Sequence, residues 1–262
     1  MSKQKVITKN ELREMFTQLG IHRGMTLVVH CSLSSLGLLV GGAESFVQVL
    51  MDCVQEEGTI LFPFQLSDRK DISTLYHDFS LADIQKFRAS MPEFNAVTTE
   101  GFATSRIAEN YRRRTDCVFS YHPIYKWMIG GRDKELYRGN SKASEPFGED
   151  SPVALLYKRR AYCLLLGVAL RELTCLHLAE YRSGVFPTEI ESYYSTASEC
   201  WVPYLLTQAK YAEEHYQNIE DLLEKRHLLQ RIKIYRGYMS LLPLKETVDL
   251  AQAYFIKNKL LF

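Results

Sequence analysis

Hydrophobic positions in the first 65 residues alternate between a helical period and continuous apolar runs. Helix-spaced apolar residues follow a capping box formed by Thr8 and Glu11, and Gly20 ends that pattern. Two apolar runs rich in β-forming residues, at 25–30 and 59–64, flank a second helical pattern. Strand, helix and strand in this order form a βαβ unit, which predicts parallel strand pairing.

The later part of the chain mixes strand-like and helical patterns. The run at 162–168 is the most apolar, which predicts a strand at the centre of the sheet. Residues 204–230 show a charged helical pattern, and Ser151, directly before a proline, is typical of a helix cap. Between 65 and 110 the patterns weaken. We therefore predict an α/β fold, with a mixed, largely parallel central sheet flanked by helices, in a single domain spanning 1–262.

Composition and charge exclude several classes of protein. The chain has 262 residues and is 46% hydrophobic and 24% charged, which is typical of a globular protein and not of a disordered chain. With 32 Lys and Arg against 31 Asp and Glu, it has no overall field that attracts nucleic acid or an anionic membrane surface. No apolar run approaches the ~20 residues that span a bilayer. We expect a cytoplasmic protein that binds neither nucleic acid nor membrane.

The six cysteines are scattered along the chain without a CxxC pair. This distribution predicts free thiols rather than a disulfide framework or a zinc site, and no metal is expected. The cysteines are Cys31, Cys53, Cys117, Cys163, Cys175 and Cys200.

His177 and Glu180 stand three residues apart in the helical pattern that follows the run at 162–168. This spacing places both side chains on one face of a helix, where they can touch. Because ligands bind at the carboxyl ends of strands in open α/β sheets, a general base and its orienting carboxylate are expected there. The helix N-terminus disfavours the charged imidazole, whereas Glu180 favours it. An exposed surface pair is the alternative that the spacing leaves open.

The loop at 31–42 combines small residues with the start of a helix. Gly41 and Gly42 lie where backbone N–H groups point outward and where glycine lets an anion approach closely. Three serines precede them, at Ser32, Ser34 and Ser35. The loop predicts contact with a phosphate-bearing ligand, and a tight strand-to-helix turn is the alternative.

Five ordered blocks of this sequence resemble the aminoglycoside 3-N-acetyltransferase family, the antibiotic acetyltransferases. The resemblance runs from about residue 8 to the C-terminus and includes the TxxHxxE pattern of Thr174, His177 and Glu180. The blocks are HCSLSSLGLLVGGAESF, MPEFN, YHPIYKWMIGG, PFGEDSPVALLY and LLLGVALRELTCLHLAEYR. Five blocks in the family's order are more specific than any one of them.

The resemblance implies an acetyl-CoA-dependent acyltransferase with a fold distinct from that of the GNAT acetyltransferases. It implies that His177, held by Glu180, acts as the base on a small-molecule amine, and that Thr174 lies near the thioester. The serines and glycines of the loop at 31–42 would contact the pantetheine arm and phosphates of CoA. Because a thioester is already activated, direct transfer needs no enzyme nucleophile, although an acyl intermediate on Cys175 is conceivable.

The acceptor is less well defined than the donor. His122 and Thr99 match family positions that would line the acceptor site, although His122 beside a proline turn could equally be structural. The variable acceptor-side segment around 65–110 departs from the family pattern. Its charges nearly balance, with Asp68, Asp71, Asp78, Asp83, Glu93 and Glu100 against Arg69, Lys70, Lys86 and Arg88.

Several functions therefore stay open. The acceptor is an aminoglycoside or a related amino sugar, with an amino-sugar nucleotide or a glycan precursor as the alternative. A non-catalytic protein that binds CoA or another ligand is the alternative outside enzymes. A homodimer is a further option for its assembly.

Overall fold

The centre of the fold is a mixed β-sheet. In the computed structural model, which describes residues 5–75, 78–102, 104–114, 116–139, 145–195, 200–207 and 213–258, seven strands form this sheet. The described residues also contain two smaller two-stranded sheets. The strands of all three sheets are β1 (Val6–Ile7), β2 (Thr26–Cys31), β3 (Leu38–Leu39), β4 (Thr59–Gln65), β5 (Val118–Phe119), β6 (Tyr125–Gly131), β7 (Tyr162–Leu166), β8 (Thr188–Ser195), β9 (Cys200–Thr207), β10 (Gln230–Lys233) and β11 (Tyr238–Pro243). The two smaller sheets are β1–β3 and β8–β9. The helices are α1 (Lys9–Leu19), α2 (Leu33–Leu36), α3 (Gly42–Val54), α4 (Ile72–Leu75), α5 (Leu81–Ala89), α6 (Arg106–Arg112), α7 (Pro152–Lys158), α8 (His177–Ser183), α9 (Glu213–Lys225) and α10 (Leu244–Asn258).

The strand order of the sheet is β10–β11–β7–β2–β4–β6–β5. Strands β7, β2 and β4 pair in parallel, whereas β6, β5, β11 and β10 join by antiparallel pairing. The predicted mixed α/β sheet is confirmed, but its parallel part is confined to the three central strands and is smaller than expected. Each edge of the sheet is formed by a hairpin, β5–β6 at one edge and β10–β11 at the other, and the strands of a hairpin are antiparallel.

Alternate residues of the central strands point into two layers of helices. On β2, Val28 packs into a core that also contains apolar residues of α7, α8, α9 and α10. Its neighbours Leu27 and Val29 pack into a second core, with apolar residues of α1, α3 and α6. Both faces of β2 are therefore buried, which explains why its sequence is a continuous apolar run and not an alternation of apolar and polar residues. The layers leave the carboxyl ends of β2 and β7 at the same edge of the sheet.

The local signals for helix ends are confirmed. Thr8 and Glu11 form both hydrogen bonds of the capping box at α1, and Gly20 ends that helix with φ +93°. The hydroxyl group of Ser151 accepts a hydrogen bond from the backbone N–H of Ala154 at 3.3 Å, as expected for the cap of α7.

The helix predicted over 204–230 is wrong at both ends, since α9 ends at Lys225 and Gln230 begins β10. Residues 200–207 form β9, which pairs with β8 in a separate antiparallel hairpin, and α9 begins at Glu213. The charged helical period of 213–225 does not extend upstream. The backbone hydrogen bonds of β9 are satisfied by β8, a partner that the local pattern does not reveal.

Within the described residues, the helices are all too short or too polar to cross a membrane.

Candidate active site

The loop that follows β2 is fastened to the carboxyl end of β7. The backbone N–H of Ser32 donates to the carbonyl oxygen of Leu166 at 2.8 Å. The hydroxyl group of Ser35 lies 3.4 Å from the carbonyl oxygen of Gly167, to which it donates. Gly167 has φ +61°, and a Cβ atom there would lie 2.0 Å from the Cβ atom of Ser35. A glycine is therefore required for this close approach, which joins the predicted cofactor loop to the chain leading toward His177.

His177 and Glu180 form the predicted pair. His177 is the first residue of α8, and its Nδ1 lies 2.7 Å from Oε2 of Glu180. The Glu180 side chain is fully buried, whereas 30% of the His177 side chain is exposed. This burial excludes the exposed surface pair that the spacing alone left open. Since a carboxylate only accepts hydrogen bonds, the imidazole Nδ1 carries the proton, which leaves Nε2 as the nitrogen that can accept one.

A third residue contacts Glu180 from a distant part of the sequence. The hydroxyl group of Tyr216, on α9, donates a hydrogen bond to Oε1 of Glu180. No motif or spacing in the sequence identifies Tyr216 as part of this site. The helical spacing of Tyr216, Ile219 and Leu223 marks the buried face of α9, but it does not indicate which residue meets Glu180.

The surroundings of His177 set its charge. Burial lowers the pKa of His177, but the charge and hydrogen bond of Glu180 outweigh burial, so the pKa lies above the ordinary histidine value. The imidazole ring stacks on Phe147, with ring centroids 4.7 Å apart and planes 28° apart. Phe147 is buried and lies in the sequence block PFGEDSP, which gave no sign of this contact. The ring plane of His177 is thus fixed by Phe147 and its tautomer by Glu180.

Thr174 lies in the wall of a cavity at the end of the central strands. It begins a 3₁₀ turn, Thr174–Leu176, directly before α8, so the helix predicted to start at Thr174 begins three residues later. The cavity has a volume of about 270 Å³, and its walls include His30 and Cys31 of β2. Burial lowers the pKa of His30 to about 4 and raises the pKa of Cys31 to about 12, so both groups are neutral near pH 7.

The predicted cofactor loop contains one enclosed serine and two more accessible ones. Ser35 is buried against Gly167, whereas Ser32 is half-buried and Ser34 is exposed, with their hydroxyl oxygens 3.2 Å apart. Gly41 and Gly42 adopt φ values of +77° and +58° at the beginning of α3. A Cβ atom at Gly42 would meet nothing within 4 Å, so the space on that side of Gly42 is open.

His122 and Thr99, the predicted acceptor-side residues, have different surroundings in the structure. His122 is 2% exposed, and its Nδ1 accepts hydrogen bonds from the backbone N–H groups of Ile124 and Tyr125 at 3.1 and 2.9 Å. Thr99 lines a second cavity, of about 500 Å³, in the segment 65–110. This geometry gives His122 a role in shaping a turn. Contact of either residue with an acceptor stays a prediction.

The cysteines whose side chains the structure describes are free thiols. They are Cys31, Cys53, Cys117, Cys163 and Cys175, whereas the side chain of Cys200 lies outside the description. Cys175 is fully buried in the core and interacts with Cys163. Burial raises the pKa of Cys163 well above the ordinary value of a thiol. This position favours direct transfer over an acyl intermediate on Cys175. Across the described chain, no group of three or more His, Cys, Asp or Glu side chains is placed to hold a metal ion.

A half-buried histidine held by a buried carboxylate follows, by three residues, a threonine that lines a cavity at the end of parallel strands, and such a pair is able to remove a proton from a substrate. Comparison with known proteins narrows the class of reaction. The family model for aminoglycoside 3-N-acetyltransferases matches residues 28–256, and the chain belongs to this family. The fold is therefore of the antibiotic acetyltransferase type, as the resemblance implied.

Individual proteins with aminoglycoside acetyltransferase names are similar to this chain in sequence and in structure. The SPbeta prophage-derived aminoglycoside N(3')-acetyltransferase-like protein YokD of Bacillus subtilis is 34% identical over 264 residues, which cover 96% of this chain and 93% of the relative. The crystal structure of YokD has a TM-score of 0.87, covering 98% of this chain and 96% of that chain at 32% identity. Aminoglycoside N(3)-acetyltransferase III of Pseudomonas aeruginosa is 30% identical, over 66% of this chain and 64% of the relative.

The fold also matches that of a CoA-bound protein. The binary complex of AAC-IIIb with CoASH has a TM-score of 0.83 and covers 97% of this chain and 98% of that chain. The sequence identity is 19%, so this likeness is one of fold.

Proposed function

We propose that this protein transfers an acetyl group from acetyl-CoA directly to an amine of an aminoglycoside or related amino sugar, with His177 as the general base. The observation that carries the proposal is the pairing of His177 with the fully buried Glu180, three residues after the cavity residue Thr174. The family of the chain supplies the class of reaction.

His177 would remove the proton that keeps the acceptor unreactive. A substrate amine with a pKa of roughly 8 to 10 is mostly protonated near pH 7 and has no free lone pair. Because Nδ1 of His177 is engaged by Glu180, Nε2 is the atom that would accept the proton during attack. Glu180 raises the pKa of His177, so the neutral imidazole is a stronger base, and it acts in the fraction of the protein in which the ring is not yet protonated.

The thioester of acetyl-CoA supplies an acyl group that is already activated for attack. Thr174 would stabilise the transfer by donating a hydrogen bond to the acetyl carbonyl oxygen as negative charge develops on it. Its position in the wall of the cavity, three residues before His177, supports this role.

The start of α3 and the preceding loop fit the phosphate and pantetheine parts of CoA. The N–H groups at Gly41 and Gly42 stand at the positive end of a helix, and the open space at Gly42 lets a phosphate approach. Ser32 and Ser34 keep accessible hydroxyl groups for polar contacts. Ser35 would act indirectly, by fixing the loop against Gly167.

The second cavity supports a cationic acceptor over an anionic one. Three of its lining residues are acidic, namely Asp68, Glu93 and Glu100. Its Arg69 donates hydrogen bonds to the backbone carbonyl oxygens of Pro92 and Glu93, at 2.6 and 2.7 Å. The carboxylates favour a polyamine such as an aminoglycoside, whereas the guanidinium group is engaged by the protein itself. The role of Thr99 in this cavity is part of the proposal.

A thiol-release assay tests this function. Acetyl-CoA is incubated with the protein and with either aminoglycosides or amino-sugar nucleotides, and the acetylated product is identified by mass spectrometry. We expect thiol release with at least one aminoglycoside and the gain of one acetyl group on an amine. Release with amino-sugar nucleotides alone would contradict the proposed acceptor. Binding of CoA without release in either set would instead support a non-catalytic protein.

A cytoplasmic location and a homodimer stay predictions. A cytoplasmic location agrees with the use of acetyl-CoA, and size-exclusion chromatography with light scattering measures the assembly.

A further inference from the structure

Glu180 is held by hydrogen bonds from two different helices. Its side chain is fully buried, and buried carboxylates require hydrogen-bond donors to offset the loss of water. Its Oε2 accepts from His177 of α8 at 2.7 Å, and its Oε1 accepts from the hydroxyl group of Tyr216 of α9. Each carboxylate oxygen thus has a donor on a separate element, which fixes the plane of the carboxylate.

Tyr216 is itself rigidly placed and remains a donor. It is 7% exposed, and its ring packs edge-on against Phe255 of α10, with centroids 6.2 Å apart. The adjacent residue, His215, contacts the hydroxyl group of Tyr254 at 3.1 Å, which also joins α9 to α10. Burial and the charge of Glu180 raise the pKa of Tyr216, so its hydroxyl group keeps its proton throughout the working pH range.

We propose that Tyr216 is a positioning residue that orients Glu180 and thereby sets the basicity of His177. This inference rests on the proposed acetyl transfer. The O–H dipole places its positive end against Oε1, which reduces the negative potential that Glu180 exerts on the imidazole. Without that hydroxyl group, His177 would bind its proton more tightly and would be protonated at a higher pH. Tyr216 thus keeps the base both oriented and neutral enough to work.

Other charged groups near α8 have partners of their own. On α8, Arg182 pairs with Glu149 at 2.6 Å, and on α10, Lys245 pairs with Asp249 at 2.7 Å. In the preceding turn, Glu172 pairs with Arg171 at 3.3 Å. Further titratable groups on the packed elements are Glu145 and Asp150 beside Phe147, Cys175 before α8, Tyr181 on α8, and His215 on α9. The pKa of His177 responds to burial and to Glu180.

Two matched variants separate this role from simple packing. Tyr216→Phe removes the hydroxyl group that contacts Glu180. Tyr254→Phe removes a hydroxyl group from the same interface between α9 and α10, where it contacts His215 and Asn218 instead. Titration of His177 in histidine-labelled protein by NMR, with the signal assigned from a His177→Gln spectrum, measures its pKa without any substrate.

We expect Tyr216→Phe to raise the pKa of His177 by about half a unit or more, and to move the acid limb of kcat in the same direction. Near neutral pH, kcat should fall about threefold to tenfold, with little change in KM for acetyl-CoA. Tyr254→Phe should leave the pKa of His177 and the acid limb unchanged. In a Glu180→Gln background, Tyr216→Phe should produce no further shift.

An unchanged pKa of His177 in Tyr216→Phe would overturn the inference, and so would an equal shift in Tyr254→Phe. The titration needs no acceptor, so it tests Tyr216 independently of the reaction. Absence of acetyl transfer by the unaltered protein would contradict the proposed function alone.

Discussion

Two regions of this molecule each hold a histidine whose Nδ1 is fixed by hydrogen bonds, and the partners differ. At the start of α8, Nδ1 of His177 donates to the carboxylate of Glu180. In the turn before β6, Nδ1 of His122 accepts hydrogen bonds from two backbone N–H groups. The first arrangement leaves Nε2 of a partly exposed ring able to accept a proton. The second places a 2% exposed ring among Tyr125, Tyr193 and Tyr204.

The difference shows that the partner of a histidine, more than its presence in a family block, defines what the ring can do. A carboxylate partner raises the pKa of His177 and fixes the proton on Nδ1, as the proposed general base requires. His122 instead accepts hydrogen bonds from two backbone N–H groups, which would otherwise be unpaired in the turn. The two rings are joined by a chain of ring contacts through Tyr125 and Phe147, whose ring centroids are 5.0 Å apart.

Replacement of His177 tests the comparison most strongly. Because His177→Ala removes the proposed base, we expect kcat for acetyl transfer to fall by about 10³-fold. Binding of CoA should stay within a few-fold of the unaltered protein, since His177 takes no part in the proposed phosphate contacts. Thiol release and calorimetric binding of CoA measure the two effects. Unchanged turnover would exclude His177 as the base.

Replacement of Glu180 tests whether this carboxylate gives His177 the basicity and the tautomer that the proposed general base needs. Glu180→Gln removes the charge that raises the pKa of His177, and its amide can donate to Nδ1 and so favour the wrong tautomer. We expect kcat to fall on the order of 10²-fold. The unaltered protein should lose activity as the pH falls through the raised pKa of His177, and the variant should lose it at a lower pH.

The pH dependence of kcat over pH 5–9 measures this displacement of the acid limb. The matched Arg182→Lys variant keeps the charge of a neighbouring residue of α8 and should leave the limb in place. An acid limb that stays in place in Glu180→Gln would show that Glu180 does not set the basicity of His177.

Replacement of His122 tests the other side of the comparison. His122→Ala leaves the N–H groups of Ile124 and Tyr125 without their acceptor, so we expect the free energy of unfolding to fall by about 2 kcal/mol. His122→Asn, which retains an acceptor oxygen, should lose less. Urea denaturation measures the stability, and the activity of the folded fraction should change little. A large rise in KM for the acceptor, with unchanged stability, would instead make His122 a substrate-binding residue.

Sequence reasoning predicted the parts of the site that depend on local geometry. The spacing of His177 and Glu180 places them on one helical face, and Gly41 and Gly42 mark the start of α3, because both features involve residues close in the chain. Tyr216 lies 36 residues from Glu180, so their contact depends on how α9 packs against the core. The helical spacing of apolar residues in α9 predicts that Tyr216 is buried, but it does not identify the residue that Tyr216 contacts.

The same limit applies to the fold. The βαβ unit and the helix caps could be predicted because their signals are local. The pairing of β8 with β9 and the antiparallel flanks of the sheet depend on hydrogen-bond partners that a periodicity does not identify. Phe147 shows this within the site, since its sequence block indicated a helix start and not a ring that stacks on His177.

The smallest expected effect is that of Cys175→Ala, which tests whether His177 acts on the acceptor directly. Cys175 is fully buried beside Cys163, so a thiol at this position does not face the cavity where Thr174 lies. We expect kcat to change by less than about twofold, because direct transfer needs no cysteine nucleophile. Mass spectrometry of the unaltered protein after incubation with acetyl-CoA should find no acetyl group on Cys175. An acetylated Cys175 that disappears when an acceptor amine is added would replace direct transfer by a two-step route, and His177 would then act on the thiol.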